Sequence, residues 1–362
     1  MSIIIFILVL SFLVIIHELG HFIAARLMGM KIQEFGVGYP PRALKLFKWK
    51  ETLFSLNWIP FGGFVAIEGE SIADGVFHKF STNKRLIVIL AGAAVNFLFG
   101  VLAFALVFSI SGIPSRLDQA RIGEIAADSP AASANLPTDV NITAIGVGDK
   151  LINTDSVEKV VTTISDHQGE TVKLITTGSC HLLECDYSTQ EFEVYLRTDQ
   201  ETPPDQGSLG IVFKSVVYLN YPWYEIPFRG AWYGLVQASW LGRIIIESLG
   251  TLVSQMVTLG QVPGEIAGPV GIVHQATTEG IFAEGYLAIL SFAGMLSVNL
   301  AVMNVLPIPA LDGGRAIFIL IEKLTGRKKI EKIEQYANYI GYILLLGLII
   351  SVTIRDVIKI FR

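Results

Sequence analysis

Residues 86–110 run for 25 positions without a charged side chain, and residues 285–311 run for 27. Two further runs resemble them. Residues 3–16 are almost wholly apolar and continue as a helix-compatible stretch through Met28, broken by His17, Glu18, His21 and Arg26; residues 336–354 are charge-free. A spanning helix needs about 20 apolar residues, and helices satisfy every backbone group inside lipid. The pattern therefore predicts an α-helical multi-pass membrane protein with four transmembrane helices. Composition agrees: 52% of residues are hydrophobic and 16% charged, against about 25% charged in a soluble domain. Disorder, coiled coil and collagen are excluded. The net charge of −5 argues against nucleic acid as a partner. The first run lacks a basic leading region and a small-residue cleavage site, so it is expected to stay as a helix rather than act as a signal peptide.

Charge partition sets the expected orientation. Residues 114–284 hold 9 basic and 21 acidic side chains, whereas the rest of the chain holds 18 and 11. Eight basic residues fall in 29–85 and six in 313–335. Basic loops stay cytoplasmic, which puts 29–85 and 313–335 inside and the acidic segment and both termini outside. Arg355, Lys359 and Arg362 run against that rule.

Between the spans the chain divides further. Residues 1–113 carry the first two spans. Residues 114–214 alternate turn residues with short β-favouring runs such as Val172–Ile175 and Phe192–Leu196, which predicts an extracytoplasmic β-rich domain. Cys180 and Cys185 fall there, as a small disulfide or as two thiols. Residues 215–284 include an amphipathic, tryptophan-bearing stretch at 231–260; the interfacial reading keeps both basic loops inside, the spanning one does not. Residues 285–362 hold the last two spans. In the inner loop, Phe54, Leu56 and Trp58 alternate with Ser55 and Asn57, a period of two that predicts a membrane-associated β-hairpin over about 31–65. An open strand edge is a hazard unless another strand uses it.

His17-Glu18-Leu19-Gly20-His21 matches H-E-x-x-H. One helical turn apart, both imidazoles reach a single zinc ion, and Glu18 stands beside them, placed to hold a water. Ionisable groups inside an apolar helix cost about 2.5–3.5 kcal/mol each and mark function. A catalytic zinc needs a third protein ligand. Asp312 closes the 285–311 run at the matching depth, with Gly313-Gly314 following; a plain helix cap is the alternative. His167, His181 and His274 are expected on the outer side, and His78 in a polar loop.

Those residues carry a resemblance. The H-E-x-x-H helix, together with Asn304-Val305-Leu306-Pro307-Ile308-Pro309-Ala310-Leu311-Asp312-Gly313, is similar to the two signatures of the site-2 protease family, the second being N-x-x-P-x-P-x-L-D-G. Phe35–Pro40 and Ile59–Val65 resemble the family's membrane-associated hairpin, Ala91-Gly92 through Asn96 its second span, and Gly268–Ile272 the segment before its Asp-bearing span. The bacterial branch with a PDZ domain between spans two and three, that of the regulator-of-sigma-E protease, is most similar. One such domain is expected here rather than two, and Asn135-Leu136-Pro137-Thr138-Asp139 departs from its glycine-bearing turn.

The resemblance implies an intramembrane zinc metalloprotease. Its cofactor would be Zn2+ on His17, His21 and Asp312, with Glu18 as general base. It would hydrolyse peptide bonds in or near the transmembrane segments of single-span proteins, such as anti-sigma factors or signal-peptide remnants, in the inner membrane. The metal site would lie near the cytoplasmic face and the PDZ-like domain outside, where it would hold a peptide or a substrate tail. A substrate helix must unwind to be cut. Phe54, Ser55, Leu56 and Asn57 are expected to hold it by strand addition, and the Asn299 and Asn304 amides to bond its backbone unless they serve interhelical bonds. The competing class is a non-proteolytic zinc transporter or sensor, which would need ionisable residues through the charge-free spans. An inactive PDZ-bearing scaffold would be expected to lack Glu18 or a ligand.

Overall fold

A computed structural model describes residues 2–70, 75–117, 119–178, 180–181, 184–185, 188–204, 206–214, 216–219, 221–259 and 268–360. The chain opens with α1 (Ser2–Leu27), β1 (Ile32–Trp49), β2 (Thr52–Ile67) and α2 (Thr82–Ser111). A β-rich stretch follows: β3 (Ile113–Arg116), β4 (Ile122–Ile125), α3 (Pro130–Ser133), β5 (Asn141–Val147), β6 (Lys150–Asn153), α4 (Val157–Asp166), β7 (Thr171–Thr177), β8 (Cys180–His181), β9 (Glu184–Cys185), β10 (Thr189–Tyr195), β11 (Ile211–Phe213) and β12 (Val216–Leu219). Five helices complete it: α5 (Ile226–Leu259), α6 (Pro269–Thr278), α7 (Tyr286–Val305), α8 (Asp312–Thr325) and α9 (Arg327–Ile360). Two compact units result, residues 111–226 and the remainder.

Among the described residues, α1, α2 and α7 are long and apolar enough to cross a membrane. The 336–354 run lies within α9. Residues 231–259 of the 231–260 stretch are part of α5, which packs along α2 and α7 through small residues four apart. A Cβ at Gly234 would lie 2.5 Å from the Val101 carbonyl of α2, Ala238 is fully buried beside Phe104 and Val298, and Gly242 meets Val298 and Val302 of α7. Gly230 meets Ser109 and Ala105 of α2 and Gly234 meets Ala105 and Val101, so α5 runs antiparallel to α2; α2 in turn runs antiparallel to α7, Gly100 meeting Val298 and Gly294 meeting Ala103, so α5 and α7 are parallel.

Helix α6 is capped from a distance. Asp356 on α9 is buried, and its Oδ2 accepts from the Gly268 and Gly271 N–H groups at 2.8 Å each. A carboxylate suits a helix N-terminus, where unpaired N–H groups and the positive dipole end converge. Asp356→Ala would leave two donors unpaired, a loss of about 1–3 kcal/mol. A clearly lowered thermal midpoint in detergent is expected, and an unchanged one would show that the cap carries no stability.

The hairpin is more folded than an alternating sequence suggests. Residues 42–49 pair with 52–57 around a tight turn. Residues 34–37 then lie between two stretches of β2, opposite Leu53–Leu56 on one side and Gly63–Ala66 on the other. Ser55 accordingly faces both Lys45 and Gly36 and is fully buried. The expected open edge at Phe54–Asn57 is thus not met, because both sides of that stretch are already paired. The period of two holds with its faces inverted: Ser55 and Asn57 point inward, while Leu56 and Trp58 are exposed. Asn57 Nδ2 donates to the Gly38 carbonyl (2.9 Å) and Thr52 Oγ1 to that of Ile32 (2.9 Å). Apolar residues outward and polar ones inward suit a sheet against lipid. An aromatic cluster of Phe22, Phe35, Phe47 and Phe54 fastens the sheet to α1.

The 111–226 unit has a four-stranded sheet in the order β10-β7-β5-β6, with β4 paired to β11 and β3 to β12. Its core holds Ile122, Ile142, Ile145, Val160, Val172, Leu174, Val194 and Leu196. Ser129 caps α3, accepting from the Ala132 N–H at 3.1 Å. Asn135 and Asp139 adopt φ of 53° and 62°. Asn and Asp enter this left-handed region more readily than other non-glycine residues, which is how this turn forms without glycine. Cys180 and Cys185 are backbone partners across β8 and β9; their side chains, and with them the expected disulfide, lie outside the described residues.

Candidate metal centre

Helices α1 and α2 meet closely enough that a Cβ at Gly20 would stand 2.6 Å from the Ala91 carbonyl, and one at Gly92 2.5 Å from His21 Nε2. This approach sets two α1 imidazoles against the α2 backbone. His21 Nδ1 lies 2.8 Å from the Val88 carbonyl oxygen. A carbonyl only accepts, so Nδ1 carries the proton and Nε2 is left bare. His17 Nδ1 faces the Asn96 amide at 3.4 Å.

Asp312 arrives from the other end of the chain. After α7 the backbone turns through Pro307 and Pro309, with Ile308 N–H donating to the Leu306 carbonyl (2.7 Å). Asn338 of α9 accepts from the Ala310 N–H at 3.0 Å. Gly313 and Gly314 pack against the carbonyls of Val305, Leu306 and Ile308, where side chains would not fit. Helix α8 therefore begins beneath the end of α7, and Asp312 in its first turn faces α1.

His17 Nε2 and His21 Nε2 are 3.1 Å apart, and Asp312 Oδ2 lies 3.0 Å from the first and 3.3 Å from the second. Two ligand atoms bonded at about 2.0–2.1 Å to a tetrahedral zinc would stand about 3.3 Å apart. Asp312 Oδ2 is buried and accepts no hydrogen bond. Three electron-rich atoms gathered this closely, with one of them unpaired, fit a cation between them. Among the described residues this is the only group of three or more such side chains able to hold a metal.

A cavity of about 200 Å3 opens beside the cluster, lined by Glu18, Tyr39, Glu70 and Arg315 as well as His17, His21 and Asp312. Gly63, Phe64, Val65 and Ile67 form another wall. At Gly63 a Cβ would stand 3.3 Å from Glu18 Cγ, so the strand backbone passes close to the carboxylate stem. Arg315, one turn after Asp312, is ion-paired with Glu70.

The geometry thus gathers His17, Glu18, His21 and Asp312. Phe54, Ser55, Leu56 and Asn57 do not line this cavity. Asn299 lines a separate space between α5 and α7, with Glu247, Ser248 and Met303, and Asn304 sits at the last turn of α7. Sequence reasoning marked Ile59–Val65 and Asn96 by resemblance alone, gave neither a role at this site, and missed the Arg315–Glu70 pair. Asn96 carried a further local signal, as the one amide in the 86–110 run.

Comparison with known proteins adds the family. The model described as Peptidase family M50 matches residues 5–348. A provisionally named zinc metalloprotease of Clostridium acetobutylicum is 32% identical, over 99% of this chain and 97% of its own length. The zinc metalloproteases RasP of Oceanobacillus iheyensis and Geobacillus kaustophilus are each 26% identical over 99% of this chain, and over 99% and 98% of their own lengths. The matched span takes in both the histidine-bearing helix and the Asp312 turn, and on that ground the chain belongs to peptidase family M50.

Proposed function

We propose that this chain is an endopeptidase that cuts single-span membrane proteins within or near their membrane segments, with zinc held by His17, His21 and Asp312. That it is a zinc metalloprotease follows from its family and from relatives so named. The observation that carries the intramembrane reading is the placement of the cluster. Two of its three members lie on α1, a helix apolar enough to span, and Asp312 joins them just beyond α7. Zinc, when bound, supplies a Lewis acid that polarises the scissile carbonyl and lowers the pKa of water. Glu18 takes a proton from the attacking water and returns it to the leaving amine.

Substrate presentation is assigned to the Gly63–Ile67 wall rather than to Phe54–Asn57. The 63–67 stretch pairs with residues 32–37 on one side, and among the described residues no strand covers its other side. An unwound substrate added there would run past Glu18. Asn304, beside the Pro307–Pro309 turn, remains a candidate for bonding that backbone, while Asn299 fits an interhelical role with α5. The exposed Leu44, Phe47, Trp49 and Trp58 suit an anchor in the lipid bilayer.

The remaining assignments rest on charge and resemblance. The 336–354 run of α9 is the fourth span. The 111–226 unit is a PDZ-like extracytoplasmic domain that gates substrate entry and does no chemistry. Charge partition places the metal centre near the cytoplasmic face of the plasma membrane.

Proline substitution tests the presentation step, because proline removes one ladder donor. Single prolines from Phe64 to Ala66 should slow cleavage of a reconstituted single-span substrate at least tenfold wherever the N–H faces the cavity, with zinc content unchanged. Ser55→Pro should instead disrupt the sheet. Normal cleavage by every zinc-loaded 64–66 variant would overturn the assignment.

A further inference from the structure

We propose that Asn96 is a positioning residue for the metal centre: its side-chain carbonyl takes the His17 Nδ1 proton and so presents the bare Nε2 to zinc. The inference rests on His17 being a ligand.

An imidazole that ligates through Nε2 must carry its proton on Nδ1, and that buried proton needs an acceptor. For His21 the acceptor is the Val88 carbonyl. For His17 the only neighbour of Nδ1 that forms a hydrogen bond among the described residues is the Asn96 amide, 3.4 Å away. Asn96 is fully buried, and its Oδ1 has no partner. The two ends of a primary amide have the same shape, so a half-turn of the side chain exchanges them without displacing a neighbour. That half-turn gives Oδ1 a donor and His17 Nδ1 an acceptor together. The alternative orientation leaves a buried carbonyl orphaned and puts the His17 proton on Nε2, where it blocks the metal.

The α2 backbone at this position is held independently. Ser297 Oγ on α7, fully buried, donates to the Asn96 main-chain carbonyl at 2.8 Å. This contact bears on the α2 main chain alone and leaves the side-chain amide free to turn toward His17. Asparagine suits the position because it can serve either histidine tautomer, whereas aspartate, which only accepts, can serve only the Nδ1–H form.

The test is zinc affinity of the purified full-length protein in detergent, measured by equilibrium competition with a chelator, with thermal unfolding of the metal-free form as a fold control. Removing an outer partner of a ligating histidine costs about 10–100-fold in affinity. Asn96→Ala should show that loss, and Asn96→Asp should bind zinc at least as tightly as the unaltered protein. Ser297→Ala, which removes the backbone contact alone, should leave zinc affinity within about threefold on the same scale. Unchanged affinity in a folded Asn96→Ala variant overturns the proposal. So does a tenfold loss in Asn96→Asp, and this second variant decides the matter should Asn96→Ala fail to fold. His17→Ala separates the two levels. If it keeps stoichiometric zinc, the ligand assignment itself fails; if it loses zinc while both Asn96 variants bind normally, only the positioning role fails.

Discussion

Glu18→Gln is expected to lower cleavage of a reconstituted single-span substrate by about 10²–10⁴-fold, the usual cost of removing a general acid–base group. That is about 3–5 kcal/mol of transition-state stabilisation. Glutamine keeps the side chain's length and leaves the wall at Gly63 undisturbed, but it cannot take up a proton. Glu18 is not one of the three converging ligand atoms, so zinc content and thermal stability should stay unchanged. The combination of lost turnover and retained metal is the signature. Turnover within about threefold of the unaltered protein would show that another group moves the proton; Glu70, on the same cavity wall, would then be the residue to replace. A variant that binds but does not cut should also retain its substrates, so single-span proteins co-purifying with it would reveal the substrate class.

The parts of this molecule that sequence could reveal are those written in local spacing. Two histidines four apart on a helix must share a face, whatever surrounds them. Asp312 was legible for a different reason: an acidic residue ending a long charge-free run has few explanations other than function. The hairpin shows where local spacing stops. Alternation at 54–58 correctly separated Ser55 and Asn57 from Leu56 and Trp58, but alternation says nothing about which strands lie alongside. That depends on the chain doubling back through Gly38–Pro41 and Pro60–Gly63, so that residues 34–37 pair twice. The breakers were visible; the fold-back they produce is a tertiary outcome. It moved the available edge from 54–57 to 63–67. The role of Asn96 was missed because an isolated amide in a spanning helix usually bonds a neighbouring helix, and only the position of His17 gives it another role.

Removing ligands should have the largest effect of all. His21→Ala and Asp312→Ala are each expected to lose bound zinc in chelator competition by more than the about 10–100-fold that an outer partner costs, and the double variant should retain none. The two single variants should not be equal. In the proposed centre both imidazoles would ligate as neutral groups, and Asp312 would supply the only formal negative charge among the three side chains. Its side chain is mostly shielded, at 14% exposure, and a charge pair in a medium of low dielectric is worth several times its value in water. Asp312→Ala should therefore weaken zinc binding more than His21→Ala does. Asp312→Asn, which keeps an oxygen at the same place and removes the charge, should fall with the alanine variant rather than with the unaltered protein. If Asp312→Asn binds zinc normally, the charge is dispensable and the carbonyl oxygen alone suffices as the ligand. If the double variant keeps stoichiometric zinc, the metal sits elsewhere in the chain and the three-residue centre is wrong.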